Sequence, residues 1–200
     1  MTAKHKFEAP TWNQIYDMLL KLADKIRSSG FKPDVIVGVC RGGWPPARVL
    51  SDLLGNPNLA NVRVEFYVGV AETNHTPVLT QPISVNTAGK KVLIVDEVAD
   101  TGESLKLVRD YMLKQGANEV KIATIYSKPW SIVKPDYCEK ETRSWIVFPW
   151  EAKETVRKIV KKCRENGESF ETEKANLVEA GVAPELVEKF LKEISEEEKC

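Results

Sequence analysis

The sequence has few of the residues that build histidine-based sites or metal clusters. Only two histidines occur among 200 residues, His5 and His75, which leaves too few for a Ser-His-Asp triad or a histidine metal site. The four cysteines are Cys40, Cys138, Cys163 and Cys200, and no two of them form a C-x-x-C pair. Widely spaced cysteines are typical of reduced, structural thiols and do not indicate a zinc site.

Net charge and long apolar runs are also missing. Lysine plus arginine and aspartate plus glutamate both total 29, so the chain as a whole offers no electrostatic support for binding nucleic acid. No apolar run reaches the roughly 18 residues of a membrane helix, and the segment MTAKHKFEAP has no apolar signal core. We therefore expect a cytoplasmic protein that binds neither nucleic acid nor membrane.

Short apolar runs alternate with helical segments along most of the chain. Strands are predicted at 35–39, 62–70, 92–95 and 120–126, with glycine-containing turns and amphipathic segments between them. Continuous apolar runs of this length are typical of buried parallel strands. The alternation predicts an α/β fold with a doubly wound parallel sheet.

Three segments depart from this alternation. Residues 71–90 are polar and contain prolines, which predicts a long loop. Residues 127–151 collect prolines and aromatic residues, with one short strand predicted at 145–148. Residues 152–200 are highly charged and predict an extra C-terminal helical region, for which Pro184 suits the first position of a helix.

The segment VLIVDEVADTGESL is the most informative stretch. Its aliphatic strand ends in two acids, Asp96 and Glu97, and the small, hydroxyl-bearing turn DTGES then opens a helix. In α/β proteins, ligands bind at the carboxyl ends of strands, and helix N-termini bind phosphate. Carboxylates can hold sugar hydroxyls, while the turn can offer hydroxyl and backbone N–H groups. The combination indicates a phosphorylated sugar.

A second loop, Cys40-Arg41-Gly42-Gly43, also lies between a predicted strand and a predicted helix. Glycines let a backbone approach an anion closely. The loop matches neither the G-x-x-x-x-G-K-[ST] nor the G-x-G-x-x-G pattern, which argues against P-loop and dinucleotide-binding proteins.

Together the two loops resemble the phosphoribosyl-pyrophosphate (PRPP) site of type I phosphoribosyltransferases. The resemblance implies that Asp96 and Glu97, the latter where many members have aspartate, hold the ribose hydroxyls. It also implies a 5′-phosphate loop formed by Ala99, Asp100, Thr101, Gly102, Glu103 and Ser104. The pyrophosphate loop would contain Cys40, Arg41 and Gly42, with Cys40–Arg41 as the candidate for a cis peptide bond.

Downstream residues resemble the 6-oxopurine branch of that family, particularly the xanthine-guanine enzymes. Its K-P pair and W-I-x-x-P-W segment occur here from Lys128 and Trp145. The resemblance implies that Lys128 donates to the purine O6, that Trp145 stacks on the ring, and that the backbone of Trp145 and Ile146 reads the edge of the base. Val147 stands where some xanthine-using relatives are acidic, which favours hypoxanthine and guanine. Trp150 is expected to pack in the core.

The implied function is purine salvage, in which phosphoribosyl passes from PRPP to a 6-oxopurine and pyrophosphate leaves. Asp100 would be the catalytic acid/base at the purine N7. The implied cofactor is Mg²⁺, held mainly by PRPP, with Asp96 contacting it through water. Residues 1–151 would form the core, including a hood over 127–151, and 71–90 would form a lid. Members of the family commonly form dimers or tetramers, so a homo-oligomer is expected.

Two alternatives remain open. A regulator of the same fold could bind PRPP without transferring it, although the acid-rich C-terminal residues do not favour DNA binding. Transfer to another base, such as orotate or uracil, is disfavoured by the K-P and W-I-x-x-P-W elements.

Overall fold

A computed structural model describes residues 7–68 and 75–197. The chain divides into two compact units, unit 1 with Met1–Ile15 and Arg143–Cys200, and unit 2 with Tyr16–Thr142. The division predicted from the sequence, between a functional core over 1–151 and an extension over 152–200, is of another kind and stays a prediction. The elements are β1 (Phe7–Glu8), α1 (Trp12–Ser28), β2 (Val35–Cys40), α2 (Trp44–Leu53), β3 (Leu59–Val68), β4 (His75–Gln81), β5 (Lys91–Ala99), α3 (Glu103–Lys114), β6 (Glu119–Ser127), β7 (Tyr137–Glu141), β8 (Trp145–Ile146), α4 (Ala152–Asn166), α5 (Glu171–Glu179) and α6 (Pro184–Glu197).

Unit 2 is built on a six-stranded sheet in the order β4-β3-β2-β5-β6-β7. All neighbouring strands pair in parallel except β4, which runs antiparallel to β3. Strands β2 and β5 are central, and their aliphatic residues are almost completely buried, as expected for strands covered on both faces.

The two faces of this sheet are covered by different helices. Val37 of β2 and Ile94 of β5 belong to one apolar cluster with Met112 of α3. Gly38 points to the other face, where a Cβ would lie 3.0 Å from the Cβ of Ala47 in α2. Because successive residues of a strand face opposite sides, α2 and α3 cover opposite faces. The predicted doubly wound α/β fold is confirmed.

The strand order reverses between β2 and β5. From β2 the chain passes through α2 to β3 on one side, and from β5 it passes through α3 to β6 on the other. The carboxyl ends of β2 and β5 are therefore neighbours, with Gly38 registered opposite Val95. Such a topological switch point is where open α/β sheets bind ligands.

Unit 1 contains the C-terminal helices and a small sheet. β1 pairs in parallel with β8, and the helices α4, α5 and α6 bury a separate apolar cluster that includes Phe7, Ile159, Leu177 and Ile194. The predicted C-terminal helical region is thus confirmed, and α6 begins at Pro184. Trp150 stacks on Phe148 with ring centroids 5.0 Å apart, in line with the packing role expected for it.

The structure corrects several strand predictions. Residues 75–81, expected to lie in a loop, form the edge strand β4. Pro77 is compatible with this position because an edge strand leaves some of its N–H groups unpaired. The structure adds β7 within 127–151, and the strand expected at 145–148 covers only Trp145–Ile146. Residues 71–74 of the expected lid lie outside the described part of the chain.

Candidate active site

The loop after β2 lies against the acids that end β5. A Cβ on Gly43 would come within 2.6 Å of the Val95 carbonyl oxygen and 2.8 Å of the Asp96 Oδ1 atom, and one on Gly42 would overlap the Glu97 carboxylate. Backbone contacts therefore require glycine at position 43, whereas a side chain at position 42 would have to displace the Glu97 carboxylate. The peptide bond between Cys40 and Arg41 is cis, as the resemblance implied. The structure thus brings the predicted pyrophosphate loop and the predicted ribose acids together.

Asp96 and Glu97 form a closely coupled carboxyl pair. Asp96 is 9% exposed, and its Oδ1 atom accepts a hydrogen bond from the backbone N–H of Glu97 at 3.0 Å. The Oε2 atom of Glu97 is buried and has no hydrogen-bond partner among the described residues. Burial raises the pKa of Glu97 well above its usual range, and the neighbouring Asp96 carboxyl raises it further. These are polar groups that a hydroxyl-rich ligand can satisfy.

The turn after β5 leaves donors at the start of α3. Gly102 is the N-cap residue, with a φ of 84°, and no side chain caps the helix through the usual N-cap bond. The Glu103 N–H donates to Thr101 Oγ1 at a long distance of 3.4 Å. An uncapped helix start directs backbone N–H groups and a positive partial charge outward. The predicted phosphate loop has the features of an anion site.

The segment 128–133 is attached to this turn by backbone hydrogen bonds. The N–H of Lys128 donates to the Ala99 carbonyl at 2.9 Å, and the N–H of Ile132 donates to the Thr101 carbonyl at 2.9 Å. On Gly102, a Cβ would lie 2.6 Å from Ser131 Oγ and 2.7 Å from the Val133 nitrogen. The predicted base-reading Lys128 is thereby fixed beside the predicted phosphate loop.

Two side chains of the predicted site share a neighbour that sequence reasoning missed. The indole Nε1 of Trp130 donates to Asp100 Oδ1 at 3.0 Å, and the Lys128 ammonium lies 5.6 Å from the centroid of the same ring. The available signal was the position of Trp130, two residues after Lys128. Its contact with Asp100 joins positions thirty residues apart, which local patterns do not reveal.

The remaining predicted base residues belong to unit 1. Trp145 is 37% exposed and Ile146 is 6% exposed, and the Trp145 ring packs on Phe7 at a centroid distance of 6.2 Å. Their assignment to the base stays a prediction.

The Cys40 thiol lies in the predicted pyrophosphate loop. Burial raises its pKa, and a hydrogen bond with Asn61 and the charge of Arg63 partly oppose this rise.

The described residues contain no group of three or more His, Cys, Asp or Glu side chains able to hold a metal ion. They do place two carboxylates beside the pyrophosphate loop. Mg²⁺ prefers oxygen ligands and keeps several waters, often taking the rest from substrate phosphates. A substrate-held Mg²⁺ that meets Asp96 through water therefore fits this donor set.

Another cleft, of about 980 Å³, opens near the amino ends of the parallel strands, opposite the carboxyl ends that carry the predicted site. Its lining includes Asp34, Asn58 and Lys90, which immediately precede β2, β3 and β5. None of the predicted site residues lines this cleft. Across 7–68 and 75–197, no helix is long and apolar enough to cross a membrane.

Comparison with known proteins agrees with this geometry. Residues 11–157 match the phosphoribosyl transferase domain. The xanthine-guanine phosphoribosyltransferase of Gluconobacter oxydans is 31% identical over 145 residues, covering 70% of this chain and 82% of the relative. A crystal structure of purine phosphoribosyltransferase from Pyrococcus horikoshii superposes with a TM-score of 0.66 at 44% identity, covering 72% of this chain and 93% of that one. The xanthine-guanine-hypoxanthine enzyme of Helicobacter pylori, at 21% identity and a TM-score of 0.64, has the same fold over 76% of this chain and 98% of its own.

Proposed function

The chain belongs to the phosphoribosyltransferase family, and from this membership we propose that it transfers phosphoribosyl from PRPP to a 6-oxopurine in purine salvage. The products would be the nucleoside 5′-monophosphate and pyrophosphate. The observation that carries the proposal is the packing of the glycine loop after β2 against the two acids of β5, at the switch point of the sheet.

The donor would lie along the carboxyl ends of β2 and β5. Cys40, Arg41 and Gly42 would receive the pyrophosphate, and the turn from Ala99 to Ser104 would receive the 5′-phosphate. Asp96 and Glu97 would accept hydrogen bonds from the ribose hydroxyls. The covered, unpartnered Oε2 of Glu97 supports this assignment, because buried polar atoms normally have a partner when their site is filled.

The acceptor is supported by relatives and by Lys128. Proteins named as xanthine-guanine phosphoribosyltransferases match over 70% of the chain or more, and the Pyrococcus structure is described as a purine phosphoribosyltransferase. Lys128 would donate to O6 of the base, and Trp145 and Ile146 would contact its ring and edge. A planar heteroaromatic base needs such an aromatic face and a few directed polar groups.

In the reaction, a purine ring nitrogen forms a bond to C1′ of PRPP while the bond from C1′ to the pyrophosphate oxygen breaks. Asp100 would accept the proton that the purine loses at N7. Fixed carboxylates near the ribose would stabilise the positive charge that develops on the sugar, and fixed geometry would supply most of the acceleration. Mg²⁺, when bound, would neutralise charge on the leaving pyrophosphate.

A base panel tests this proposal. Nucleotide formation is measured with PRPP, Mg²⁺ and each of hypoxanthine, guanine, xanthine, adenine and orotate, with and without EDTA. We expect product with 6-oxopurines, no product after chelation, and a loss of at least about a hundredfold in kcat for Asp100→Asn, as is typical of removing a general base. The control is Asp110→Asn, at a side chain that is 42% exposed and paired with Lys106, and it should be fully active.

Two results would contradict the proposal. PRPP binding without nucleotide formation from any base would favour a regulator of the same fold. An Asp100→Asn variant with the wild-type rate would remove Asp100 from the chemistry. The homo-oligomeric state and the cytoplasmic location stay predictions.

A further inference from the structure

Trp130 is half exposed, yet its polar and aromatic parts both contact residues of the proposed base site. The side chain is 50% exposed, so burial of apolar surface alone does not account for its position. Its Nε1–H donates to Asp100 Oδ1 at 3.0 Å. Its ring lies 5.6 Å from the Lys128 ammonium, within the range of a cation–π contact.

The backbone on both sides of Trp130 is held firmly. Before it, the N–H of Lys128 bonds to Ala99, and after it, the N–H of Ile132 bonds to Thr101. The Ser131 hydroxyl donates to the Val133 carbonyl at 3.0 Å. Since these bonds fasten the segment to the same turn that carries Asp100, the backbone of Trp130 stays within reach of the carboxylate to which its indole donates.

We propose that Trp130 is a positioning residue that orients both the Asp100 carboxylate and the Lys128 ammonium toward one edge of the purine. In a 6-oxopurine, O6 and N7 are neighbours on the same edge. The indole occupies one oxygen of Asp100, and a carboxylate keeps further acceptor capacity on the other, which can face N7. The ring meanwhile lies under the Lys128 ammonium, so that one side chain contacts both groups. This inference rests on the proposed function, because it assigns N7 to Asp100 and O6 to Lys128.

The direct test compares Trp130→Phe with the wild type. Phenylalanine keeps an aromatic ring near Lys128 but has no N–H for Asp100. We expect kcat to fall about tenfold, as is typical for the loss of one hydrogen bond to a charged group, with an unchanged KM for PRPP. The matched control is Trp12→Phe in unit 1, where the side chain is 59% exposed; it should keep the wild-type kcat.

A double mutant shows whether Trp130 acts through Asp100. If it does, adding Trp130→Phe to Asp100→Ala produces no further loss of kcat. A spectroscopic readout that needs no turnover is the indole N–H signal in a ¹H–¹⁵N NMR spectrum, assigned as the signal absent from Trp130→Phe. That signal should shift in Asp100→Ala and stay in place in Asp110→Ala, whose side chain bonds Lys106 instead.

The inference is overturned if Trp130→Phe has the wild-type kcat, if its loss adds fully to that of Asp100→Ala, or if the indole signal does not respond to Asp100→Ala. Failure of the proposed function is a different result. If the proposed function fails, the wild type forms no nucleotide from any purine. If only the role of Trp130 fails, the wild type is active and the Trp130 variants do not behave as expected.

Discussion

At the scale of single residues, the surroundings of Glu97 disfavour the charged form of its carboxyl. Its Oε2 atom is covered and lacks a partner, and burial followed by the proximity of Asp96 raises the pKa of its carboxyl. Holding a charged group in such surroundings costs free energy. Because the folded-state pKa is raised, we expect Glu97 to lower the stability of the ligand-free protein at pH values above the usual pKa of a glutamate, where the unfolded chain carries the charge freely.

Glu97→Gln should therefore stabilise the protein and weaken substrate binding. The amide keeps the shape of the side chain without a charge next to Asp96, so we expect a gain of about 1 kcal/mol and a rise in melting temperature of about 3 °C. Since the amide offers one acceptor oxygen instead of two, the KM for PRPP should rise about tenfold. Calorimetry and steady-state kinetics measure the two effects.

The control for this substitution is Glu165→Gln. The Glu165 carboxylate is exposed and lies 3.8 Å from the Lys161 ammonium, and exposed pairs of this kind contribute at most about 1 kcal/mol. Its melting temperature and KM should match those of the wild type. A Glu97→Gln protein that melts at a lower temperature than the wild type would show that the carboxylate is favourably accommodated.

At the scale of elements, the contact between the DTGES turn and the segment 128–133 depends on one glycine. Gly102 has a φ of 84° and no room for a Cβ, because Ser131 Oγ and the Val133 nitrogen lie 2.6 and 2.7 Å from that position. Gly116 has nearly the same φ, 83°, but a Cβ there would meet only Ala88 at 3.5 Å. The two glycines share the conformational demand and differ in available space.

Gly102→Ala should accordingly cost much more than Gly116→Ala. Both substitutions place alanine in a left-handed conformation, at about 1 kcal/mol. Only Gly102→Ala must also displace the backbone at Val133, which shifts the phosphate turn relative to Lys128. A displacement of this size can lower kcat/KM about a hundredfold. Denaturant unfolding measures the free energy of unfolding of each variant, and steady-state kinetics measures its kcat/KM. Equal effects of the two substitutions would show that the turn and the segment 128–133 can move apart without loss of stability or activity.

The same elements show what local sequence can predict. Strand β5 and the turn after it were predictable because an aliphatic run, two acids and a helix start are contiguous. Strand β4 was missed because its sequence, HTPVLTQ, contains Pro77 and only a two-residue apolar run, and because an edge strand tolerates proline. Strand β7, with the sequence YCEKE, is mostly polar. The bond from Trp130 to Asp100 depends on tertiary structure, so no periodicity indicates it.

At the scale of the whole molecule, the two compact units have separate apolar clusters. The predicted PRPP loops, from Cys40 to Gly43 and from Asp96 to Ser104, lie entirely within unit 2. The C-terminal helices of unit 1 are held by their own core, in which Leu177 and Val187 are completely buried. Ion pairs, such as Lys153 with Glu193, link α4 to α6 on the surface, where their contribution is small.

Leu177→Ala should loosen unit 1 while the sheet of unit 2 stays protected. Removing a fully buried leucine side chain typically costs about 2–5 kcal/mol, and the cavity would lie in the core shared by α4, α5 and α6. Hydrogen exchange read by mass spectrometry should show faster exchange in these helices and unchanged protection in β2 and β5. Leu186→Ala, at a position that is 43% exposed, is the control and should leave exchange unaltered. Equal loss of protection in both units would mean that they unfold as one cooperative body, and retained PRPP binding in Leu177→Ala would agree with a donor site contained in unit 2.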